Sequence, residues 1–288
     1  MTFNRILVII NLEKDVDPIL EKLRAWGDRG SIEIQVIELE RIGTGAIELS
    51  PAEVTDCIAL TLGGDGTFLK GAQTLASYHI PILGVNLGSL GFLTRTQVSE
   101  IPEALERILE GRFHLEERVR LAASLDGVSA TALNDVVISK TAVEGFTVLD
   151  LWADEGFIGS YPGDGLIIST PTGSTAYSLA AYGPVVLPSL DCILITPFNT
   201  HRLGLRPIVL PAEERLRVAA RRQATVLVDG DAIFHLEPED ELSVQVSELK
   251  TVLINMETGP NFFSILKSKL YWGSIRERDG EGNGENAG

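Results

Sequence analysis

The chain has 288 residues, of which 44% are hydrophobic and 22% charged, a balance typical of a globular protein with one large domain or two ordinary ones. The formal net charge of −16 argues against nucleic acid or an anionic membrane as a partner, because both attract basic surfaces. The two cysteines, Cys57 and Cys192, make neither a disulfide framework nor a zinc site, and we expect both to be buried thiols.

The first third of the chain alternates strand-like and helix-like segments. A buried strand is predicted at 5–10, after an N-terminus without a signal-peptide layout. No apolar run reaches the roughly 20 residues that span a bilayer, so we expect a cytoplasmic protein. The next segments predict a helix from Asp17 that ends at Gly27, strands near 31–39, 58–62 and 81–85, and helices over 68–78 and 102–109. This alternation predicts a Rossmann-like α/β domain with ligands at the strand ends.

The texture changes after about residue 110. Short strand-like segments are predicted at 121–125, 133–139, 147–153 and 157–161 and within 216–247. Turn pairs such as Asp126-Gly127 and Asp229-Gly230 separate them, which predicts a second, β-rich, sandwich-like domain. Residues 261–272 predict an amphipathic terminal helix, and the charged, Gly/Asn-rich residues beyond Gly273 are expected to be disordered.

A glycine turn, Gly63-Gly64-Asp65-Gly66-Thr67, lies between a predicted strand and a helix. Backbone N–H groups converge at such a turn, and glycine permits positive φ and the close approach of a phosphate. We therefore expect Gly63, Gly64, Gly66 and Thr67 to bind phosphate. Asp65 is anionic, so its useful roles are to accept a proton from an attacking hydroxyl or to hold magnesium; capping the helix is the structural alternative. The sequence assigns no metal ligands.

These five residues resemble the signature of a kinase superfamily that contains NAD kinases, diacylglycerol and sphingosine kinases and, in a close variant, phosphofructokinases. Three further segments resemble NAD kinases and not their relatives. They are residues 80–94 (IPILGVNLGSLGFLT), the pair Asn134-Asp135, and residues 163–179 (GDGLIISTPTGSTAYSL). Smaller matches extend the resemblance, in order, over roughly residues 5–272. Two departures are Asp135, where Glu is usual, and Tyr182, where a small residue is usual.

The resemblance implies a two-domain NAD kinase with its active site in the crevice between the domains. The expected boundaries are an α/β domain at 1–98, a β-rich NAD-binding domain at 99–255, a segment at 256–273 that packs back on the first domain, and a disordered tail at 274–288. The resemblance also implies a homodimer or homotetramer.

By the same resemblance, NAD is expected to bind residues from several segments of the chain. They are Asp65, Gly66, Asn134, Asp135, Asp164, Thr172, Ser174, Thr175, Ala176 and Tyr177. Asp65 is the expected catalytic residue, which orients the 2′-hydroxyl of the adenosine ribose and accepts its proton. The phosphoryl donor is ATP, another nucleotide or polyphosphate, with Mg²⁺ or another divalent cation bridging the donor phosphates.

Several assignments stay open at this stage. His201 matches a loop histidine of the family but is more often a structural or surface residue, and Arg206 either neutralises phosphate or anchors its loop. The other basic residues show no cluster along the sequence. The competing functions are a lipid-type kinase, which the acidic charge disfavours, a phosphofructokinase, and a catalytically silent NAD-binding regulator.

Overall fold

The structure is a computed structural model that describes residues 3–11, 16–39, 47–141 and 145–272; the predicted tail at 274–288 lies outside them. The N-terminal elements are β1 (Arg5–Ile10), α1 (Asp17–Gly30), β2 (Glu33–Glu38), α2 (Pro51–Val54), β3 (Cys57–Gly63), α3 (Asp65–Thr74), β4 (Ile82–Asn86), β5 (Thr96–Gln97) and α4 (Ile101–Leu109). The later strands are β6 (Phe113–Leu125), β7 (Val128–Ala132), β8 (Asp135–Lys140), β9 (Thr147–Ala153), β10 (Gly156–Gly163), β11 (Gly165–Ser169), β12 (Cys192–Phe198), β13 (Ile208–Pro211), β14 (Leu216–Ala220), β15 (Ala224–Val228), β16 (Asp231–Leu236) and β17 (Glu241–Met256). The later helices are α5 (Tyr177–Ala180) and α6 (Phe262–Leu270).

The predicted α/β unit is confirmed. Strands β4, β3, β1 and β2 lie side by side and parallel, so their carboxyl ends meet at one edge. Helices α1 and α4 cover one face of this sheet, and α3 covers the other, because each helix has one apolar side. Helix α4, which follows the predicted boundary at residue 99, packs in the core of this N-terminal unit.

Helix α1 does not end at Gly27, as the sequence had suggested. It continues to Gly30 and is closed by Ser31 in the left-handed conformation. The glycine at position 27 serves packing instead, since a Cβ there would lie 2.5 Å from the carbonyl oxygen of Ile32. No helix among the described residues is long and apolar enough to cross a membrane.

The β-rich unit is a sandwich, as predicted. A six-stranded sheet, in the order β13-β12-β11-β8-β15-β16, packs on the C-terminal part of an 11-stranded sheet. The core between the two layers consists of the alternate inward-facing residues of both sheets. At the β15–β16 hairpin, Asp229 and Gly230 both have positive φ, at 49° and 92°, which is the geometry expected of an Asp-Gly hairpin turn.

Strand β17 joins the two units into one sheet. Along its length it pairs antiparallel with β14 and β6, and near its end Leu253 pairs parallel with Ile82 of β4. The 11-stranded sheet therefore runs without a break from the α/β unit into the sandwich. The predicted terminal helix is present as α6, with the Asn261 side chain accepting a hydrogen bond from the Ser264 N–H.

Candidate active site

The glycine turn connects β3 to α3 at the carboxyl edge of the parallel sheet. None of Gly63, Gly64 and Gly66 has positive φ, so the turn uses the absence of a side chain and not the left-handed conformation that glycine permits. A Cβ on Gly63 would lie 2.1 Å from Oγ1 of the buried Thr67, whereas a Cβ on Gly64 or Gly66 would have no atom of the described chain within 4 Å. The N-terminus of α3 therefore presents open backbone, as the approach of a phosphate requires.

Asp65 is the first residue of α3, but its carboxylate does not cap that helix. Atom Oδ1 accepts hydrogen bonds from the N–H groups of Leu93 and Thr94, at 3.1 and 3.0 Å, and from Thr94 Oγ1 at 2.9 Å. Among the described residues, atom Oδ2 accepts only one hydrogen bond, from the N–H of Phe92 at 2.8 Å. Since each carboxylate oxygen has two lone pairs, Oδ2 retains capacity for one more donor.

The loop after β4 is shaped around this carboxylate. A Cβ on Gly91 would lie 2.0 Å from Asp65 Oδ1 and 2.4 Å from Thr94 Oγ1. Asn86 Nδ2 donates to Thr94 Oγ1 at 2.8 Å, which holds that hydroxyl in place beside Asp65. The glycine turn and the segment at 80–94, which the sequence singled out separately, thus form one unit.

The Asn134-Asp135 pair is held by the turn between β15 and β16. The Asp229 carboxylate accepts hydrogen bonds from three successive N–H groups, those of Leu133 at 2.7 Å, Asn134 at 2.8 Å and Asp135 at 3.2 Å. The side-chain amide of Asn134 has no hydrogen-bond partner among the described residues. It is therefore available to a ligand as both donor and acceptor.

Burial and charge both act on Asp135. Its side chain is 5% exposed, and burial, followed by the negative charge of Asp229, raises its pKa from 3.8 to about 7. Burial also raises the pKa of Asp229, although its three backbone N–H donors and Arg120 oppose that shift. The two carboxyls thus form a pair in which Asp135 takes up a proton near neutral pH.

The segment 172–177 does not present all its predicted side chains in the same way. Ser174 is fully buried and its hydroxyl bonds the backbone of Val186, so it holds the turn from within. Thr175 Oγ1 donates to the Thr172 carbonyl at 3.2 Å, and Ala176 connects the short 3-10 turn at 172–175 to α5. Tyr177 is 45% exposed and stands against Phe198, with ring centroids 5.5 Å apart, so its outer face is open.

Thr172 and Gly173 bring this segment against its neighbours. Arg118 Nη1 donates to Thr172 Oγ1 at 3.1 Å, and a Cβ on Gly173 would lie 2.1 Å from the Asn134 carbonyl oxygen. The Thr170 N–H also donates to the Asn134 carbonyl at 2.9 Å. Two predicted NAD-binding segments, far apart in sequence, are therefore in direct contact.

Asp164 lies between β10 and β11 and is paired. Its carboxylate accepts from Lys140 Nζ at 2.7 Å and from Asn199 Nδ2 at 3.0 Å, and these partners lower its pKa, Lys140 most. Asp164 is therefore ionised and oriented at neutral pH.

The two halves of the predicted site meet where Leu133 docks on the α/β unit. Its buried side chain belongs to the same apolar cluster as Phe68 of α3 and Leu93 of the Asp65 loop. The residue just before Asn134 is thus anchored beside the glycine turn.

The structure also adds basic residues that the sequence did not single out. Arg118 and Arg120 are the largest fully buried side chains among the described residues, and Arg95 shares Glu116 with Arg118. Arg118 and Arg120 alternate with apolar residues along β6, a pattern that is also typical of a strand with one face in water. The basic residues show no cluster along the sequence, but the fold brings Arg95 and Arg118 together at Glu116.

His201, Arg206 and Tyr182 have surface or structural contacts. His201 contacts Phe146, with ring centroids 4.7 Å apart and the ring planes tilted by 49°. Arg206 donates to the Leu205 carbonyl at 2.8 Å, which supports its reading as a loop anchor. Tyr182 is 92% exposed with a φ of 64°.

Two cavities of about 390 and 540 Å³ flank the parallel sheet. The smaller is partly lined by Arg95 and Asn255, and the larger lies between α1 and α4. Neither is lined by Asp65 or by residues of 134–135 and 172–177, so the candidate site is not one of these cavities. Within the described residues, no group of three or more His, Cys, Asp or Glu side chains is placed to hold a metal ion.

Comparison with known protein families agrees with this arrangement. Residues 46–113 match the model of the ATP-NAD kinase N-terminal domain, and residues 133–256 match the ATP-NAD kinase C-terminal domain. The NAD kinase of Ruminiclostridium cellulolyticum is 36% identical over 284 residues, which cover 93% of this chain and 98% of the relative. The NAD kinase of Geobacter sulfurreducens is 40% identical over 266 residues, which cover 88% and 93%.

Solved structures of similar fold are also NAD or NADH kinases. An NAD kinase from Archaeoglobus fulgidus in complex with ATP superposes with a TM-score of 0.76 and 25% identity, covering 92% of this chain and 99% of that one. Yeast NADH kinase complexed with NADH superposes with a TM-score of 0.82 and 24% identity, covering 96% and 90%. At that identity the yeast structure supports the fold alone.

Proposed function

The chain belongs to the NAD kinase family, and on that premise we propose that Asp65 is its catalytic residue. The protein is a phosphotransferase that uses NAD and ATP. The observation that carries the proposal for Asp65 is its hydrogen bonding: four donors fix the carboxylate, and Oδ2 keeps one free lone pair. That lone pair is where the ribose 2′-hydroxyl donates.

The reaction joins the 2′-oxygen of the adenosine ribose to the γ-phosphorus of ATP. The bond from that phosphorus to the β–γ bridging oxygen breaks, ADP leaves, and the hydroxyl proton passes to Asp65 and then to water. Because the transition state of phosphoryl transfer is loose, the proton need not leave early. An oriented carboxylate can therefore act mainly by positioning the hydroxyl and by its charge.

The residues of the second unit are proposed to hold NAD. Asn134 offers an unpaired amide for the edge of a base, and Asp135 offers a carboxyl for ribose hydroxyls. Tyr177 has an open aromatic face for stacking, and Thr172 stands at the turn that contacts Asn134. Ser174 does not face the ligand. Its buried hydroxyl holds that turn in place by hydrogen bonds with the backbone of Val186.

The donor phosphates are proposed to lie on the open backbone at Gly64 and Gly66. A divalent cation, such as Mg²⁺, fits this turn as a companion of the phosphates, since Mg²⁺ usually keeps several waters and takes few protein ligands. When bound it supplies neutralisation of charge on the transferred group. ATP is the proposed donor, which the Archaeoglobus fulgidus relative supports by its complex with ATP.

We also propose that the protein forms a homodimer or homotetramer. Large side chains of the β-rich unit that are nearly fully exposed, Tyr182 at 92% and Leu203 at 90%, support an interface between copies. Light scattering after size exclusion measures the mass directly, and a monomer at micromolar concentration would contradict the proposal.

The function is tested by NADP formation. Wild-type protein with NAD, ATP and Mg²⁺ should yield NADP, detected with an NADP-specific dehydrogenase. Asp65→Asn should lower kcat by about 100-fold or more, because positioned acid–base groups contribute about that much. NAD binding, measured by calorimetry, should change much less than kcat, because the variant keeps the shape of the side chain and loses only the acceptor for the Phe92 N–H.

Asp126→Asn is the matched control. Asp126 lies in the exposed β6–β7 turn with a φ of 50°, a conformation that Asn also tolerates, so this variant should keep full activity. Undiminished turnover by Asp65→Asn would remove Asp65 from its role. Binding of NAD without turnover by the wild type would favour the silent regulator. A lipid-type kinase is not favoured, because both parts of the chain match NAD kinase domains.

A further inference from the structure

A line of charged side chains crosses the junction between the α/β unit and the sandwich. The Arg118 side chain is 2% exposed and its Nη2 lies 2.8 Å from Glu116 Oε1. Arg95, 17% exposed, approaches the other oxygen of Glu116 at 3.9 Å. Asn255 Nδ2 donates to that same oxygen at 2.5 Å. Glu116 therefore connects two arginines that belong to different segments.

Each end of this line touches one half of the proposed active site. At one end, Arg95 Nε donates to the Phe92 carbonyl at 3.0 Å, within the loop whose N–H groups hold Asp65. At the other end, Arg118 Nη1 donates to Thr172 Oγ1 at 3.1 Å. No hydrogen bond joins Arg95 to Thr172 directly in the described part of the chain.

Stability alone gives a poor account of this arrangement. Buried ion pairs are often no more stabilising than apolar residues of similar volume, because desolvating the charges is costly. Burial lowers the pKa of both Arg95 and Arg118, which shows that each guanidinium is partly stripped of water. Arg118 Nε also has no hydrogen-bond partner in the described structure. What the line does provide is a series of polar contacts from the Asp65 loop to the Thr172 turn.

We propose that Arg95, Glu116 and Arg118 are positioning residues that fix the Asp65 loop relative to the Thr172 turn. They contact neither the ribose hydroxyl nor the phosphoryl group. Instead they set the distance and angle between the Asp65 carboxylate, which accepts the hydrogen bond of that hydroxyl, and the Thr172 turn, which binds NAD. This inference rests on the proposed roles of Asp65 and Thr172. A small displacement at either end should lower catalysis, because reacting groups tolerate little misplacement.

A double-mutant cycle tests this connection. Arg95→Lys keeps the charge but loses the fork that reaches both the Phe92 carbonyl and Glu116, and Thr172→Val loses the hydroxyl that accepts from Arg118. We expect each single variant to lower kcat/KM for NAD by about 10-fold or more, on the scale of losses from misplaced groups. The kcat/KM of the double variant should be little lower than that of the less active single variant. Either substitution alone already breaks the connection, so the second one has little further effect.

The control cycle uses the neighbouring glutamate. Glu117 pairs with Lys250 at 2.8 Å on the exposed side of the same strands, and Glu117→Gln should leave kcat/KM near the wild-type value. Combined with Thr172→Val, it should give the product of the two single effects. Thr172→Ser, which keeps the hydroxyl, should restore activity towards that of the wild type and so separate the hydrogen bond from general folding effects.

The outcomes are distinct. If Arg95→Lys and Thr172→Val multiply, as unconnected residues do, the positioning role is overturned, while NADP formation by the wild type keeps the proposed function. If the wild type forms no NADP, both are overturned. Should Arg95→Lys fail to fold by thermal unfolding, Glu116→Gln replaces it in the cycle, with the same non-additive result expected.

Discussion

Gly91 has no room for a side chain because the Asp65 carboxylate occupies that space. Substitution by alanine would place a Cβ 2.0 Å from Asp65 Oδ1, so either the carboxylate or the loop at 91–94 must move. We expect Gly91→Ala to lower kcat by about 10- to 100-fold, since it displaces the oriented carboxylate without removing it. The coupled NADP assay measures this directly.

Gly88 is the matched control in the same loop. Of the atoms in the described residues, a Cβ there would meet only Asn86 Oδ1, at 3.8 Å, which is an ordinary contact. Gly88→Ala should therefore retain wild-type kcat. Equal activity of the two variants would show that the fit around Asp65 is looser than the structure describes.

Asp135 makes stability depend on pH. Its pKa in the folded protein is about 7, above the ordinary value of 3.8, so the stability that its proton confers is present at low pH and is lost as pH rises through 7. Asp135→Asn carries no such loss. The stability of the variant relative to the wild type should thus increase between pH 5 and pH 8, by on the order of 2 kcal/mol.

Urea unfolding at the two pH values measures this difference. Asp229, whose negative charge contributes to the raised pKa of Asp135, is unchanged in the variant. Asp126→Asn, at an exposed turn, serves as the control for replacing an aspartate by asparagine. A gap between Asp135→Asn and the wild type that stays constant from pH 5 to pH 8 would mean that Asp135 is ionised throughout.

At the scale of elements, much of the fold was predictable because local patterns agree with the tertiary structure. The strand at 5–10, the turn at 63–67 and the Asp229-Gly230 hairpin follow from apolar runs and turn chemistry. The end of α1 was misplaced at Gly27, since a glycine that makes room for Ile32 looks the same in sequence as a helix stop.

The motifs of the candidate site were predictable from the sequence, but the residues that hold those motifs in place were not. Asp229 was singled out as a turn residue, yet its carboxylate also holds the backbone of Asn134 and Asp135 from another strand pair. Arg118 and Arg120 alternate with apolar residues along β6, a pattern typical of a strand with one face in water. They are buried because β6 crosses from one unit to the other. This crossing depends on long-range strand pairing, which the spacing of residues along the sequence does not reveal.

Strand β17 should make the two units unfold together. It pairs with β4 of the α/β unit and with β14 and β6 of the sandwich, so neither unit can lose it alone. Trp26 reports on α1 and Trp152 on β9. We expect variants in which Trp26 or Trp152 is the sole tryptophan, with the other one and Trp272 replaced by phenylalanine, to show coincident urea transitions, as a cooperative two-state protein does.

Circular dichroism provides the common reference for that experiment. Each single-tryptophan variant should show the same midpoint by fluorescence and by the far-ultraviolet signal. Two separate midpoints, one for Trp26 and one for Trp152, would mean that the pairing through β17 does not couple the units.

For the whole molecule, the net charge of −16 opposes the approach of polyphosphate substrates. The basic groups at the site are few, and Arg95 and Arg118 are already paired with Glu116, so they contribute little long-range attraction. Raising the ionic strength from about 0.01 to 0.15 M shortens the Debye length from about 30 to about 8 Å and screens this repulsion.

We expect kcat/KM for ATP at constant free Mg²⁺ to rise by a few-fold over this range, because electrostatics changes encounter rates. Under the same conditions, kcat at saturating substrates should change little, since it does not depend on encounter. A fall in kcat/KM with added salt would instead show that a positive local field at the glycine turn outweighs the acidity of the rest of the chain.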